Sequence, residues 1–354
     1  MVTIDGSYGE GGGQVLRCAV ALSCLTGQPV KIFNIRGRRP KPGLQPQHLV
    51  SIEAAAALSN AEVDGARIGS TEVAFSPKAV SGGGYCFDIG TAGSVTLVVQ
   101  AVLPILLFAE AESEVKILGG TDVPWSPPAD YVKYVSLPAL QSMGIDAGIE
   151  IARRGHYPKG GGEILLRAAP VSSLRALRAI ERGRVESIRG VSNCTNLPQH
   201  VSVRQASSAD KLLREKGHSN IRITSDSQQV PGGGPGSGIV LWAEAGGQIR
   251  VGAGALGARE KSSEEVGAEA AAKLLVELQT GMAMDSRFGD MIIPYMAIAN
   301  GTSEAGIASL TLHSETMMWL TNAFLGVEWQ VKKTTAGAVV VRVSGVGLRN
   351  GNRA

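Results

Sequence analysis

The sequence contains an internal repeat of about 80 residues, which limits the possible folds more than any other feature. Each copy shows a glycine-rich turn and an apolar helical pattern, then a strand, a second helix and two further strands. Gly13 and Gly93 occupy equivalent places in the first two copies, 80 residues apart. The first helices are predicted in GQVLRCAVALSCLTG, GTAGSVTLVVQAVLPILLFAE and GDMIIPYMAIANG. Two helices per sheet in regular alternation favour α/β layers.

The third copy comes too late in the chain to follow the second directly. Asp290, its counterpart of Gly93, lies 197 residues beyond Gly93, which is 117 more than the 80 residues of one repeat. This excess predicts an inserted domain at 181–283, with strands in IRITS, GIVLWAEA and QIRVGAG. Its helix is predicted in SSEEVGAEAAAKLLVELQ, starting at a capping box formed by Ser262 and Glu265.

These patterns together predict an α/β fold of two parts. Three repeated units, each with two helices and a four-stranded sheet, form a large domain from 1–180 plus 284–354. The units span about 1–80, 81–180 and 284–346. Residues 181–283 form a smaller inserted α/β domain.

The predicted insert contains one misleading motif, IRVGAGALGARE. Gly252, Gly254 and Gly257 match the dinucleotide-binding pattern G-x-G-x-x-G after a strand. A Rossmann site needs the helix to open within the glycines of a βαβ unit, whereas here the helix is expected only from Ser262. We therefore do not expect a dinucleotide site there.

Composition indicates a chain with substantial cores and no membrane association. Hydrophobic residues make up 44% of the sequence, yet Gln100 and Pro104 interrupt its longest apolar run. The start, MVTIDGSYGEGG, has no basic-then-apolar leader. The net charge of +3 permits an anionic partner without requiring one. The cysteines lack metal-ligand spacing, so we expect free core thiols in a cytoplasmic protein: Cys18, Cys24, Cys86 and Cys194.

The stretch GSYGEGGGQVLR, residues 6–17, gathers five glycines around one carboxylate, Glu10. It matches neither common phosphate-binding pattern, since Gln14 stands where G-x-G-x-x-G needs its last glycine. The helix that follows should nevertheless present unpaired N–H groups to the loop. Phosphate binding and a simple chain turn both remain open at this point.

Four other sequence positions combine charge or polarity with an unusual setting. The stretch RGRRPKPG holds four cations that its prolines keep extended, which fits either a solvated loop or an anion site: Arg36, Arg38, Arg39 and Lys41. Arg17 lies on an apolar helix, where it either extends to solvent or binds an anion. Gln100 is a core amide or a ligand contact. His313 stands between a predicted strand, ASLTL, and a helix, where an imidazole stays neutral and nucleophilic or is simply structural.

Six stretches in order resemble those of a single known family: DGSYGEGGGQVLR (5–17), RRPKPGLQPQH (38–48), GTAGSVTLVVQAVLP (90–104), GGTDVPWSPPAD (119–130), RGHYPKGGGEI (154–164) and HSET (313–316). From end to end the chain resembles the RNA 3′-terminal phosphate cyclase family. The resemblance implies three similar α/β units with an inserted smaller domain, in agreement with the repeat.

The resemblance implies that ATP is used to convert an RNA 3′-phosphate into a 2′,3′-cyclic phosphodiester. A histidine attacks the α-phosphate and becomes adenylylated, AMP passes to the RNA 3′-phosphate, and the neighbouring 2′-OH displaces it. AMP is the better leaving group, which is why activation is needed. The expected partners are ATP, a divalent cation (Mg or Mn) and RNA with a 3′-terminal phosphate, with no membrane.

The resemblance also assigns roles to particular residues. His313 is expected to be the nucleophile, and Glu10 is expected to hold the metal beside the triphosphate. The phosphate pocket is expected to contain Arg17, Arg36, Arg39 and Gln47. The nucleotide is expected to contact Gln100, Pro127 and Asp290, together with Arg287 and Phe288.

Two positions depart from the family pattern. Met291 follows Asp290 where the family has glutamine, and Arg287 replaces an aromatic residue that packs on adenine. A cation or the neighbouring Phe288 could cover the base instead, so nucleotide preference stays open. The rival functions are a non-catalytic cyclase-like protein of ribosomal RNA processing and an enolpyruvyl transferase. The intact HSET motif argues against the first, and the predicted insert against the second.

Overall fold

Residues 1–334 and 337–351 are described by a computed structural model. Residues 335–336 and 352–354, which the predicted large domain includes, lie outside this range. The described residues form four mixed four-stranded sheets with helices packed against them. The predicted α/β class is therefore confirmed.

The first unit pairs its strands in the order β1-β2-β4-β3. The first two strands are parallel, and the other pairs are antiparallel. From Val15 to Leu25 every residue of the first helix is buried, so this helix lies in the core rather than on its edge. The elements are β1 (Val2–Asp5), α1 (Gly13–Thr26), β2 (Val30–Phe33), α2 (Pro46–Ser59), β3 (Glu62–Asp64) and β4 (Val73–Ser76).

The second unit repeats this topology in the order β5-β6-β8-β7. Its second helix is interrupted by a π-helical segment, Val132–Ser136, and Pro138 stands in the first turn of the part that follows. The elements are β5 (Gly83–Asp88), α3 (Val95–Leu106), β6 (Ser113–Gly119), α4 (Ala129–Tyr131), α5 (Leu137–Gln141), β7 (Ala147–Arg153) and β8 (Gly162–Ala168).

A short strand, β9 (Arg178–Ala179), belongs to the third sheet although it lies within the range predicted for the second copy. Between it and the rest of that sheet, residues 187–279 form a separate sheet with two helices. The elements of this segment are β10 (Ser187–Thr195), α6 (His200–Glu215), β11 (Ile221–Gln228), β12 (Gly236–Glu244), β13 (Arg250–Leu256) and α7 (Ser263–Gln279). The first strand of the third sheet therefore precedes residues 187–279 in the chain, and its other three strands follow them.

The third unit has the order β9-β14-β16-β15, which matches the first two when read from its first strand. The prediction of a strand in ASLTL (308–312) is wrong. β14 ends at Ile307, so this stretch is the loop before the next helix and the first residue of that helix, Leu312. The remaining elements are α8 (Ser286–Ile298), β14 (Asn300–Ile307), α9 (Leu312–Leu325), β15 (Gln330–Lys333) and β16 (Val339–Val346).

The segment between β9 and α8 has a small apolar core of its own, in which α6 and α7 cover the sheet β11-β10-β12-β13. Three of its strands and α7 lie where the sequence predicts them, and Ser262 and Glu265 form the expected capping box. Gly252 and Gly254 lie within β13 itself, not in a loop that opens a helix. β10 and α6 were not predicted from the sequence. The domain boundary at 181–283 stays a prediction.

Buried ion pairs around Arg154 join the 187–279 segment to the second unit. The guanidinium lies 2.8 Å from Asp130 and 3.5 Å from Asp122 of the second unit, and 2.7 Å from Asp226 of β11. Arg154, Asp122 and Asp130 are almost completely buried. This cluster holds residues 119–130, the loop that leads into α4, against the neighbouring segment.

The central helices pack against one another, and α1 contacts α2, α3 and α9. None of the four cysteines, all within the described range, forms a disulfide; Cys86 is exposed on β5, contrary to the expected core position. Within the described ranges, no helix is long and apolar enough to cross a membrane.

Candidate active site

A cavity of about 750 Å³ is lined by helix and loop residues of all three units. All of the residues predicted for the site line this one cavity. The first unit contributes Glu10, Arg17, Arg36, Arg39 and Gln47; the second contributes Gln100 and Pro127; the third contributes Arg287, Phe288, Asp290 and His313. Residues from three distant parts of the chain therefore border one cavity, while the role of each residue stays a prediction.

The glycine-rich loop before α1 packs directly against the start of α9. Gly9 has a φ of 59°, and a Cβ there would come within 2.1 Å of Thr316 Oγ1. Glycine is needed for both reasons, since L side chains rarely adopt this conformation and no space exists for one. Gly12 stands at the N-cap of α1 without a side-chain hydrogen bond to the first N–H groups of the helix, and Gly12 and Gly13 both line the cavity. This packing brings Glu10 beside His313.

His313 lies in the first turn of α9 and contacts two polar side chains of the first unit. Its Nδ1–H donates to Oε1 of Gln14, and its Nε2 lies 2.6 Å from Glu10 Oε2. The other carboxylate oxygen of Glu10 accepts from Arg39 at 2.5 Å. The imidazole is 42% exposed, so it is oriented on both ring nitrogens yet remains open to the cavity.

Asp290 holds the first turn of α9 in place through hydrogen bonds. Its Oδ1 accepts from the hydroxyls of Thr311, which is the N-cap, and of Ser314, at 2.6 Å for the latter. Burial raises the pKa of Asp290 above its ordinary value. These bonds fix the first turn of α9, on which His313 lies; the predicted contact of Asp290 with a nucleotide stays a prediction.

Arg17 is the most unusual charge in the cavity. It is only 7% exposed, its buried Nε has no hydrogen-bond partner, and no carboxylate of the described residues forms an ion pair with it. Burial lowers its pKa to about 10. A buried and unpaired guanidinium is costly, and a bound anion would compensate it.

His48 faces the same point of the cavity as Arg17. A Cβ on Gly13 would come within 2.1 Å of His48 Nε2 and 2.9 Å of Arg17 Nη1. The backbone N–H of Gln45 donates to Nδ1 of His48 at 3.2 Å, so the ring proton is on Nε2. Burial, followed by the charge of Arg17, lowers the pKa of His48 to about 3. His48 is therefore a neutral hydrogen-bond donor aimed at this point.

The three other predicted phosphate ligands are held by neighbouring groups. Arg36 Nη1 donates to the carbonyls of Lys41 at 2.6 Å and Gly43 at 3.1 Å, so part of its guanidinium braces its own loop. Arg39 contacts Glu10. Gln47 Oε1 accepts from the backbone N–H of Ser94 at 3.0 Å, which ties α2 to the start of α3. All three still border the cavity beside Arg17.

Pro127, Arg287 and Phe288, three of the residues predicted for the nucleotide, also line the cavity. The carbonyl of Pro127 accepts from Thr96 Oγ1 at 2.7 Å, which anchors the loop. Arg287 is exposed and lies 5.6 Å from the centre of the Tyr131 ring. Phe288 is completely buried, so its ring forms part of the wall and presents no free face to solvent.

Among the other residues that line this cavity, Gln14, His48 and Trp125 have no role predicted from the sequence. Gln14 stands out in the sequence only because it breaks a glycine pattern, and His48 only within the stretch RRPKPGLQPQH. Trp125 had one available signal, a large aromatic between prolines in VPWSPP. The side-chain directions that make these residues important could not be read from spacing.

Comparison with known proteins assigns the chain to a family. The model of the family described as RNA 3′-terminal phosphate cyclase matches residues 8–331. A protein of Ignicoccus hospitalis with that name is 49% identical over 98% of this chain and 99% of its own length. Those of Staphylothermus marinus and Archaeoglobus fulgidus, also so named, are each 48% identical, covering 98% and 97% of this chain and 99% and 100% of their own lengths. The chain belongs to the RNA 3′-terminal phosphate cyclase family.

Proposed function

We propose that this protein uses ATP to convert an RNA 3′-phosphate into a 2′,3′-cyclic phosphodiester, through a covalent AMP adduct of His313. One observation carries the proposal: an oriented imidazole and an unpaired buried arginine border the same cavity. The first is suited to attack phosphorus, and the second to hold a phosphate. The names of the relatives support the cyclisation of an RNA 3′-terminal phosphate.

In the first step, His313 Nε2 attacks the α-phosphorus of ATP. The N–P bond forms, the bond from that phosphorus to the bridging oxygen breaks, and pyrophosphate leaves with the electron pair. Gln14 accepts from Nδ1–H and so leaves Nε2 as the nitrogen that attacks, while Glu10 lies close enough to Nε2 to take its proton from a charged imidazole. The N-terminus of α9 favours the anionic substrate at this place.

In the second step, an oxygen of the RNA 3′-phosphate attacks the same phosphorus, and the electron pair of the N–P bond returns to His313. In the third, the terminal O2′ attacks the 3′-phosphorus, its proton goes to solvent, and AMP leaves. The RNA phosphate binds Arg17, Arg39 and Gln47, with the Nε2–H of His48 as a further donor. These groups border the cavity beside His313, which allows the phosphate to reach the adduct.

The divalent cation, Mg²⁺ or Mn²⁺, would be held by Glu10. No group of three or more His, Cys, Asp or Glu side chains within the described residues is arranged to hold a metal alone. A single carboxylate fits a cation that arrives on the triphosphate, because Mg²⁺ commonly uses one or two carboxylates with substrate phosphates. When bound, the ion would neutralise phosphate charge during the transfer.

The decisive experiment is His313→Ala tested with ATP labelled at the α-phosphate. We expect wild-type protein to retain acid-labile, base-stable label and the variant to retain none, with RNA cyclisation lost in parallel. His218→Ala is the matched control, because His218 lies outside the cavity lining. Normal labelling of the His313 variant would refute the adduct, and a wild-type protein that cyclises RNA without any label would refute this route.

A further inference from the structure

Trp125 has an environment that folding alone does not explain. Its side chain is 95% exposed, more than any other large apolar side chain among the described residues. Its φ is 61°, in the left-handed region that non-glycine residues rarely adopt. Exposure of an indole and a left-handed backbone are both unfavourable, and such costs concentrate at functional sites.

The loop that carries Trp125 is anchored rather than loose. Ser126 Oγ donates to the carbonyl of Val123 at 3.0 Å, and the carbonyl of Pro127 accepts from Thr96. Arg287 Nη1 donates to the carbonyl of Ser126 at 3.2 Å. The indole is thus held outward by a fixed backbone, and it borders the cavity.

Arg287 provides a second planar group at the same place. Its guanidinium is bonded to the residue next to Trp125 and already lies over the ring of Tyr131. It is exposed, unlike Phe288, which is fully buried. Indole and guanidinium planes both bind flat, π-rich ligands, and purines are the strongest stackers of this kind.

We propose that Trp125 stacks on the adenine of ATP, with the guanidinium of Arg287 beside the same base. This assignment deepens the proposed function and rests on it for the identity of the nucleotide. It places the base at the Pro127 end of the cavity and leaves the phosphates towards His313 and Arg17, all of which border the same space.

The test measures equilibrium binding in a His313→Ala background, where no adduct can form. The probes are ATP, CTP, inorganic tripolyphosphate and a short RNA with a 3′-phosphate. Trp125→Ala should raise the Kd for ATP about 5- to 150-fold, the usual effect of removing one aromatic–base stack. Trp125→Phe should restore most of the affinity, and tripolyphosphate binding should not change. Tyr157→Ala is the control, an aromatic that is 62% exposed but lies outside the cavity lining.

Each other outcome overturns the proposal. An unchanged Kd for ATP would show that the indole does not contact the base. Weaker binding of RNA with unchanged ATP binding would assign the indole to an RNA base. An equal loss for ATP and CTP that phenylalanine does not restore would mean a structural role. Because binding is read without chemistry, failure of the His313 adduct would appear separately, in the labelling experiment.

Discussion

Replacing Arg17 with methionine should make the ligand-free protein more stable. Arg17 is buried without an ion pair in the described structure, and its pKa is lowered to about 10 by burial. One pKa unit corresponds to about 1.4 kcal/mol, so this lowering represents about 3 kcal/mol of unfavourable free energy. The sign follows from linkage: below pH 10 the arginine is charged in both states, and the full penalty is present at pH 7. Methionine fills a similar volume without charge.

The measurement is the free energy of unfolding with and without inorganic phosphate. The Arg17→Met variant should gain about 1–3 kcal/mol without phosphate, since part of the gain is lost in repacking. Phosphate should stabilise the wild type by mass action and have little effect on the variant. Arg154→Met is the matched control, and its free energy of unfolding should fall rather than rise. It leaves the buried carboxylates of Asp122 and Asp130 without their partner, so it should lose about 3–5 kcal/mol.

Two results would refute this reasoning. A less stable Arg17→Met protein in the absence of phosphate would mean that the guanidinium supports the fold. Equal stabilisation of wild type and variant by phosphate would mean that the anion binds elsewhere. Either result would remove Arg17 from the phosphate pocket, whatever the activity of the variant.

Three further predictions follow from contacts within the cavity. Glu10→Gln should slow AMP attachment about 100- to 10,000-fold and raise the metal concentration needed for half-maximal rate, because a carboxylate beside Nε2 is lost; an unchanged metal titration would contradict the assignment. Arg39→Ala should slow AMP transfer to RNA about 10- to 150-fold and affect ATP labelling less, which single-turnover assays of the two steps can separate. Between pH 7 and 5, the free energy of unfolding of His48→Gln should fall less than that of the wild type. Wild-type His48 stays neutral when folded but binds a proton below pH 6.5 when unfolded, so between pH 7 and 5 it contributes about 2 kcal/mol of that loss.

The fold was largely predictable because its signals are repeated. Three copies of one pattern give three chances to find each helix, and the long apolar patterns of α1 and α3 are unambiguous. The elements that escaped prediction have weak patterns. The strand β9 is only two residues long, and α6 buries just Ser202, Gln205, Ala209 and Leu213, so its apolar stripe is thin.

The site was predictable as a set of residues but not as an arrangement. Motif resemblance identified residues that do line one cavity, yet it did not reveal that Asp290 holds the first turn of α9 or that Arg36 partly braces its own loop. These details depend on side-chain directions, which three-dimensional packing sets. Trp125 escaped for a similar reason, because its exposure follows from the left-handed backbone at that position.

Arg17 and Arg154 show most clearly what sequence alone cannot supply. Both are arginines beside glycines or apolar residues, and both are almost completely buried. Arg154 contacts three carboxylates, one of them from β11, so its charge is compensated within the protein and it joins the 187–279 segment to the second unit. Arg17 has no such partner in the described structure, and a charge left uncompensated in a cavity is the mark of a ligand site. Burial is the same in the two cases. The presence of carboxylate partners distinguishes Arg154, which supports the fold, from Arg17, which we propose binds phosphate, and the partners of Arg154 come from parts of the chain far apart in sequence.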